Sequence, residues 1–266
     1  MFIVVPIKQV PQSSDVQMDP KTGTMIRSGT TSIINPLDLY ALEAALELKD
    51  RLQATIAVIS MGPPSAEKAL MQALSMGCDQ AYLLTDRAFA GSDTWATSYT
   101  LSQAIRQMGP VDLIITGERA TDGDTAQVGP ALAAWLDFPV VSYVAKLAQV
   151  DAKALVCERL TEEGYQQLQV ALPALLTVVK EIATPRLPTL RGKKQAMRTP
   201  VTTLTAQDLQ ANVSYLGLRG SPTKVVKIAT PKVSRTCKIV HAEDENMEQA
   251  IDELLAFLDQ EGVSHV

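Results

Sequence analysis

The sequence predicts an α/β fold: a doubly wound, mostly parallel sheet with an added antiparallel hairpin and an extended C-terminal arm that ends in a helix. Three observations predict it. Short, near-continuous apolar runs alternate with helical patterns through the first half of the 266 residues, as in a parallel sheet covered on both faces. Beyond Phe138 apolar and polar residues alternate, as in antiparallel strands with one wet face. From Thr184 the chain is punctuated by proline and becomes basic.

FIVVPI (2–7) is the first strand. The opening MFIVVPIKQVP has no basic leader and no small-residue cleavage site, so it reads as strand and not as a signal peptide. Gln9 to Ile34 is polar and turn-rich. It reads as a short hairpin excursion over the binding end of the sheet, or as a surface loop. Asn35-Pro36 sets a capping side chain before a proline tolerated at a helix start. Leu39, Leu42, Ala45, Leu46 and Leu48 then mark the buried stripe of a helix over 36–52. ATIAVI (54–59) is the second strand, and Gly62-Pro63-Pro64 makes an abrupt entry to a helix over 64–76. AYLLT (81–85) and VDLIIT (111–116) are further strands, separated by a helix over 94–108. PVVSYVAKL, KALVCERL and YQQLQVALP alternate like antiparallel strands, with a turn at Glu162-Glu163-Gly164, and ALLTVV (174–179) returns to the buried sheet. TPRLPTLRGKKQAMRTP reads as loop or arm. At the end, Met247, Ile251, Leu254, Leu255 and Leu258 form a helical stripe, stopped by Gly262. The expected division is a binding domain at 1–185 and a basic arm with its terminal helix at 186–266.

Composition excludes several function classes. The chain is 46% hydrophobic and 20% charged, as in soluble globular proteins. No apolar run reaches the ~18 residues that a membrane span needs. Cys78, Cys157 and Cys237 are far apart, forming neither a disulfide framework nor a zinc spacing, so a cytoplasmic location is expected. His241 and His265 are the only histidines, which argues against histidine catalysis. The net charge of −5 hides an asymmetry: residues 186–240 hold eleven Lys/Arg and one acid, Asp208. Such a segment meets a partner or docks on its own acidic domain; a solvated tail is the plain alternative. No aromatic interleaving points to nucleic acid.

The common nucleotide signatures GxxxxGK[ST] and GxGxxG are missing. Four segments should nevertheless converge at the C-terminal edge of the sheet, where such folds bind ligands: Pro6-Ile7-Lys8, Asn35, Ser60-Met61-Gly62 and 117–129. The last contains TDGDTAQVGP (Thr121 to Pro130). Asp122 and Asp124 are too few ligands for a lone divalent metal. Thr121 or Asp124 can cap a helix. Pro130 would be intolerable deep in a helix, so the helix should start near Gly129. That leaves amides between Gly123 and Gly129 free for an anion. In SDTWATSYTLSQ (92–103), Thr94 and Thr97 share a helical face. Their hydroxyls either bond back to the helix or face a polar heterocycle.

These residues resemble the beta (small) subunit of electron transfer flavoproteins. IVVPIKQVP, INPLDLYALEAALELK, IAVISMGPPSAEKALMQALSMGCDQAYLLTD and ITGERATDGDTAQVGPALAAWLDFP fit that family in order, over roughly residues 1–200. The resemblance implies a Rossmann-like, adenine-nucleotide-binding sheet and a heterodimer with an FAD-holding alpha subunit. It implies FAD or AMP bound here, and DGDTAQVGP with SDTWATSYT looks like the flavin-bifurcating, FAD-binding branch. In that branch FAD takes a hydride from NADH and sends one electron to ferredoxin or flavodoxin. The other passes through the alpha-subunit FAD to an acyl-CoA or 2-hydroxy-acid dehydrogenase. By position, Pro6, Asn35, Asp38 and Met61 should surround the adenosine. Asp122, Gly123, Asp124, Thr125, Ala126, Gln127, Val128, Gly129 and Pro130 should wrap the phosphates, and Thr94 and Thr97 should face the isoalloxazine. Leu187 and Leu190, in TPRLPTL, should contact the dehydrogenase, and the basic arm and terminal helix should dock on the alpha subunit. Gly123 and Val128 favour FAD over AMP. The competing readings are a non-bifurcating beta subunit with structural AMP and, in another class, an adenine-nucleotide sensor or hydrolase.

Overall fold

The computed structural model describes residues 1–12, 32–151, 153–226, 239–243 and 245–262. The described elements are β1 (Phe2–Pro6), β2 (Gln9–Pro11), β3 (Ser32–Ile34), α1 (Pro36–Leu52), β4 (Thr55–Met61), α2 (Glu67–Met76), β5 (Gln80–Leu84), α3 (Thr94–Gln107), β6 (Leu113–Gly117) and α4 (Val128–Leu136). They continue with β7 (Val140–Val150), β8 (Ala154–Thr161), β9 (Gly164–Ala171), β10 (Ala174–Val178), α5 (Leu190–Ala196), β11 (Val201–Leu204), α6 (Gly217–Gly220) and α7 (Met247–Gln260).

Among the described residues, nine strands form one sheet in the order β11-β5-β4-β1-β6-β10-β7-β8-β9, and β2 pairs with β3 in a separate ribbon. Pairing is parallel from β11 through β7 and antiparallel in β7-β8-β9. The sheet is doubly wound because its strands are apolar on both faces. Ile3 and Val5 pack with Leu42, Leu46, Leu70 and Leu74 of α1 and α2. Val4 points the other way, to Tyr99, Ile105 and Leu132 of α3 and α4. The chain runs outward from β1 to β5 on one side, then returns to place β6 on the other side of β1. β1 and β6 are therefore the strands between which the winding reverses, and their C-terminal ends open a crevice.

The expected strands and helices are present, and the two-residue turn Glu162-Glu163 joins β8 to β9. The excursion after Gln9 is anchored by the β2–β3 ribbon, with Gln9 opposite Ile34; residues 13–31 lie outside the described residues. The basic segment departs from the expectation. In place of a free arm, residues 190–204 form α5, seated on α2, and β11, which extends the parallel sheet beside β5. The chain forms two compact units, Met1–Val226 and Lys227–Val266. The second unit contains α7, whose Met247, Ile251, Leu254, Leu255 and Phe257 are exposed. No described helix is long and apolar enough to cross a membrane.

Candidate functional site

At the C-terminal ends of β1, β4 and β6 lies a cleft of about 420 Å³, within the roughly 300–1,000 Å³ usual for small-molecule sites. Pro6 to Lys8, Asp38 and Met61 line one end. Ser92 to Thr94, Thr97, Leu101 and Thr223 line another, and Thr116 to Ala120 and Gly123 to Gly129 line the side between them. Each expected segment except Asn35 thus brings residues to the cleft, while Asn35, Ser60, Gly62, Thr121, Asp122 and Pro130 are not among its lining residues.

Asn35 explains how the rim is held. Its side chain does not cap α1. It is fully buried; Nδ2 donates to Asp38 Oδ1 and to the Arg119 carbonyl, both at 2.9 Å, and Oδ1 accepts from the Thr121 amide at 3.1 Å. Asp38 Oδ2 accepts from the Lys8 amide at 2.7 Å. One Asn–Asp pair therefore ties the loops after β1 and β6 to the start of α1. Burial pushes the Asp38 carboxyl up to about 7, against the lowering effect of Asn35 and Lys8. Gly117 permits this contact: a Cβ there would lie 2.5 Å from Asp38 Oδ1.

The loop after β6 does not use its acids as caps. α4 starts at Val128 behind Gln127, with no side-chain cap. That is close to the start that Pro130 demands, and it leaves the proline in the first turn. Asp122 instead accepts from Lys8 Nζ at 2.7 Å, and Asp124 from Arg119 Nη1 at 2.9 Å. Asp124 and Ala126 adopt left-handed φ values of 55° and 54°, an uncommon strain for alanine. These bends interrupt the helical path. The amides of Gly123 and Asp124 close a turn onto the Ala120 carbonyl. Those of Thr125, Ala126, Gln127, Val128 and Gly129 have no acceptor among the described residues. Successive free amides at a helix start form an anion-binding concavity.

Two further features belong to this wall of the cleft. Thr116 Oγ1 is buried without a hydrogen-bond partner among the described residues, a costly state for a hydroxyl. Gly129 presses α4 onto the sheet: a Cβ there would sit 2.6 Å from Thr177 Cγ2 and 3.0 Å from Thr116 Oγ1.

On α3 the hydroxyls divide into two groups. Ser98, Thr100 and Ser102 bond back to the helix carbonyls of Trp95, Ala96 and Tyr99. Thr94 and Thr97 line the cleft, and Thr94 Oγ1 donates to Gln127 Oε1 at 3.0 Å. Asp93 caps α3 through the Ala96 amide and also accepts from the Thr223 amide and hydroxyl. Burial pushes the Asp93 carboxyl up, but these hydrogen bonds outweigh it and hold the group below its ordinary range. Thr223 was invisible to pattern reasoning because a short polar stretch carries no periodic signal.

Leu187 and Leu190 are 85% and 87% exposed. Arg186 anchors their loop to α1: its amide and Nε donate to Glu43 at 2.9 Å, and Nη2 reaches Asp50 at 2.9 Å.

The model of the electron transfer flavoprotein domain matches residues 22–209. The electron transfer flavoprotein subunit beta of Thermoanaerobacterium thermosaccharolyticum is 47% identical over 264 residues, covering 99% of this chain and 100% of that protein. The chain belongs to the family of electron transfer flavoprotein beta subunits. Among its relatives is the caffeyl-CoA reductase-Etf complex subunit CarD of Acetobacterium woodii, 48% identical over 87% of this chain and 88% of its own. Protein FixA of Azotobacter vinelandii is 44% identical over 97% of this chain and 94% of its own. As a beta subunit, the chain functions in electron transfer.

Proposed function

We propose that the cleft holds FAD and that this chain is the beta subunit of a bifurcating electron transfer flavoprotein. Membership of a flavoprotein family, with 48% identity to a subunit of a caffeyl-CoA reductase-Etf complex, supports the reading. The observation that carries it is the run of partnerless amides from Thr125 to Gly129 at the reversal point of the sheet. Anionic phosphate satisfies such amides.

Bound there, FAD would supply the chemistry that takes one hydride from NADH and divides its electron pair into single electrons. The chain's own work is placement. Pro6, Asp38 and Met61 wall the adenosine end, with Asn35 fixing Asp38. The loop from Asp122 to Gly129 presents its amides to the phosphates, and Pro130 keeps α4 from winding further back. Thr94 and Thr97 face the isoalloxazine, and the Thr94–Gln127 hydrogen bond sets their distance from the phosphate loop. The partners are the alpha subunit, a low-potential ferredoxin or flavodoxin, and an acyl-CoA or 2-hydroxy-acid dehydrogenase docking at Leu187 and Leu190. The apolar stripe of α7 and the basic segment before it serve the alpha subunit.

Purifying the chain with its alpha subunit and counting flavin and AMP after denaturation tests this reading. Two FAD per heterodimer is expected; one FAD with one AMP would replace bifurcation by simple electron transfer.

A further inference from the structure

Two acids in a loop that receives phosphate call for an explanation that the cradle of amides does not give. We propose that Lys8 and Arg119 are the phosphate-facing cations of the cleft, and that Asp122 and Asp124 are internal counterions from which the bound phosphates draw them. This rests on the cleft being an adenine-nucleotide site.

Four observations carry it. Lys8 and Arg119 both line the cleft, just past the C-terminal ends of the neighbouring parallel strands β1 and β6. Each is paired with an acid of the phosphate loop itself: Lys8 Nζ to Asp122 Oδ1 at 2.7 Å, and Arg119 Nη1 to Asp124 Oδ1 at 2.9 Å. Arg119 Nε also lies 3.2 Å from Glu118 Oε1, so its charge is shared by two carboxylates. Both cations are about half exposed, at 48% side-chain accessibility, where ion pairs are weak and side chains are free to turn. The amide cradle, Thr125 to Gly129, follows directly on these acids and lines the same cleft, so a phosphate group there competes with the carboxylates for the same cations through bonds of the same charge-assisted kind.

The arrangement leaves the rim of the free loop without excess positive charge, since Lys8 and Arg119 face Asp122, Asp124 and Glu118. Without the two aspartates, an unpaired Lys8 would sit beside a row of free amides and the positive end of α4. With them, the loop keeps its shape until phosphate arrives. The acids are then counterions and not ligands, so they weaken phosphate binding while they hold the free state together. A purely structural brace, by contrast, would strengthen it.

The sign of one substitution separates these roles. The full-length chain, stripped of nucleotide, is titrated with AMP and with adenosine by equilibrium dialysis. Asp122→Asn should bind AMP roughly twofold to fivefold more tightly, the worth of the exposed pair it dissolves, with adenosine unchanged. Lys8→Gln should bind AMP roughly tenfold more weakly, the worth of one charge-assisted hydrogen bond, again with adenosine unchanged; it leaves the Lys8 amide on Asp38. The salt dependence of AMP binding should flatten in Lys8→Gln. Asp122→Asn binding AMP no tighter than the parent overturns the proposal, as do equal shifts for AMP and adenosine; both leave the cleft as the nucleotide site. A parent chain that binds neither compound removes the nucleotide reading and this proposal with it.

Discussion

Asp38→Asn should abolish the pH dependence of stability that this carboxyl contributes to the cleft. In the folded chain the Asp38 carboxyl is raised from 3.8 to about 7 by burial. Between those values the folded state holds a proton that the unfolded state has lost. Stability therefore falls as pH rises through this window, by about 1.4 kcal/mol per unit and roughly 4 kcal/mol in all. Asparagine has no such titration. It can accept from only one of the two donors that Asp38 serves, the Lys8 amide and Asn35 Nδ2, and turns an N–H toward the other. That mismatch costs roughly 1–3 kcal/mol. The variant should thus be less stable than the parent below about pH 4. It should equal or exceed the parent above pH 8, where the buried charge is gone. Urea unfolding of the nucleotide-free chain at fixed pH values measures this. A parent-minus-variant difference that stays constant from pH 4 to pH 8 would refute the reasoning.

Thr116→Val should raise the stability of the nucleotide-free chain by about 1 kcal/mol, since it removes an unpaired buried hydroxyl. A variant less stable than the parent in thermal unfolding would contradict the cost assigned to that hydroxyl. Gly129→Ala forces α4 away from Thr177 and Thr116, which should cost roughly 1–3 kcal/mol and empty the cleft, as read by thermal midpoint and extracted nucleotide. Arg186→Ala strands the buried Glu43 carboxylate and should cost roughly 2 kcal/mol. It should slow reduction of the dehydrogenase while flavin content holds; unchanged partner kinetics would separate the loop from docking.

The core of this fold was legible because its strands are apolar runs and its helices carry regular stripes. The crevice followed from their order alone. What resisted reading was long-range. Asn35 followed by proline carries a capping signature, yet its partners are Asp38 and a loop 84 residues downstream, and burial made those bonds the better use of its amide. Asp124 read as a cap, and Asp122 showed no partner of its own, because nothing local betrays that Lys8 lies 114 residues away in sequence and 2.7 Å from Asp122 in space. β11 was hidden in a basic, proline-rich stretch: its four residues VTTL are only half-buried, as on an edge strand. Lys8 stood inside a segment expected at the sheet edge, and its charge beside a ligand cleft was the available signal.

The passage from β10 to β11 crosses four strands, β6, β1, β4 and β5, before it rejoins the sheet. Arg186 pins it to α1 near the start and β11 pins it at the far edge. Leu187 and Leu190 therefore ride on a cord tied at both ends. A partner that closes on them meets side chains whose backbone is already in place, so little ordering entropy is lost on contact. Encounters can then be brief and repeated without each one having to fold the surface anew, which suits a carrier that must release one protein as readily as it finds the next.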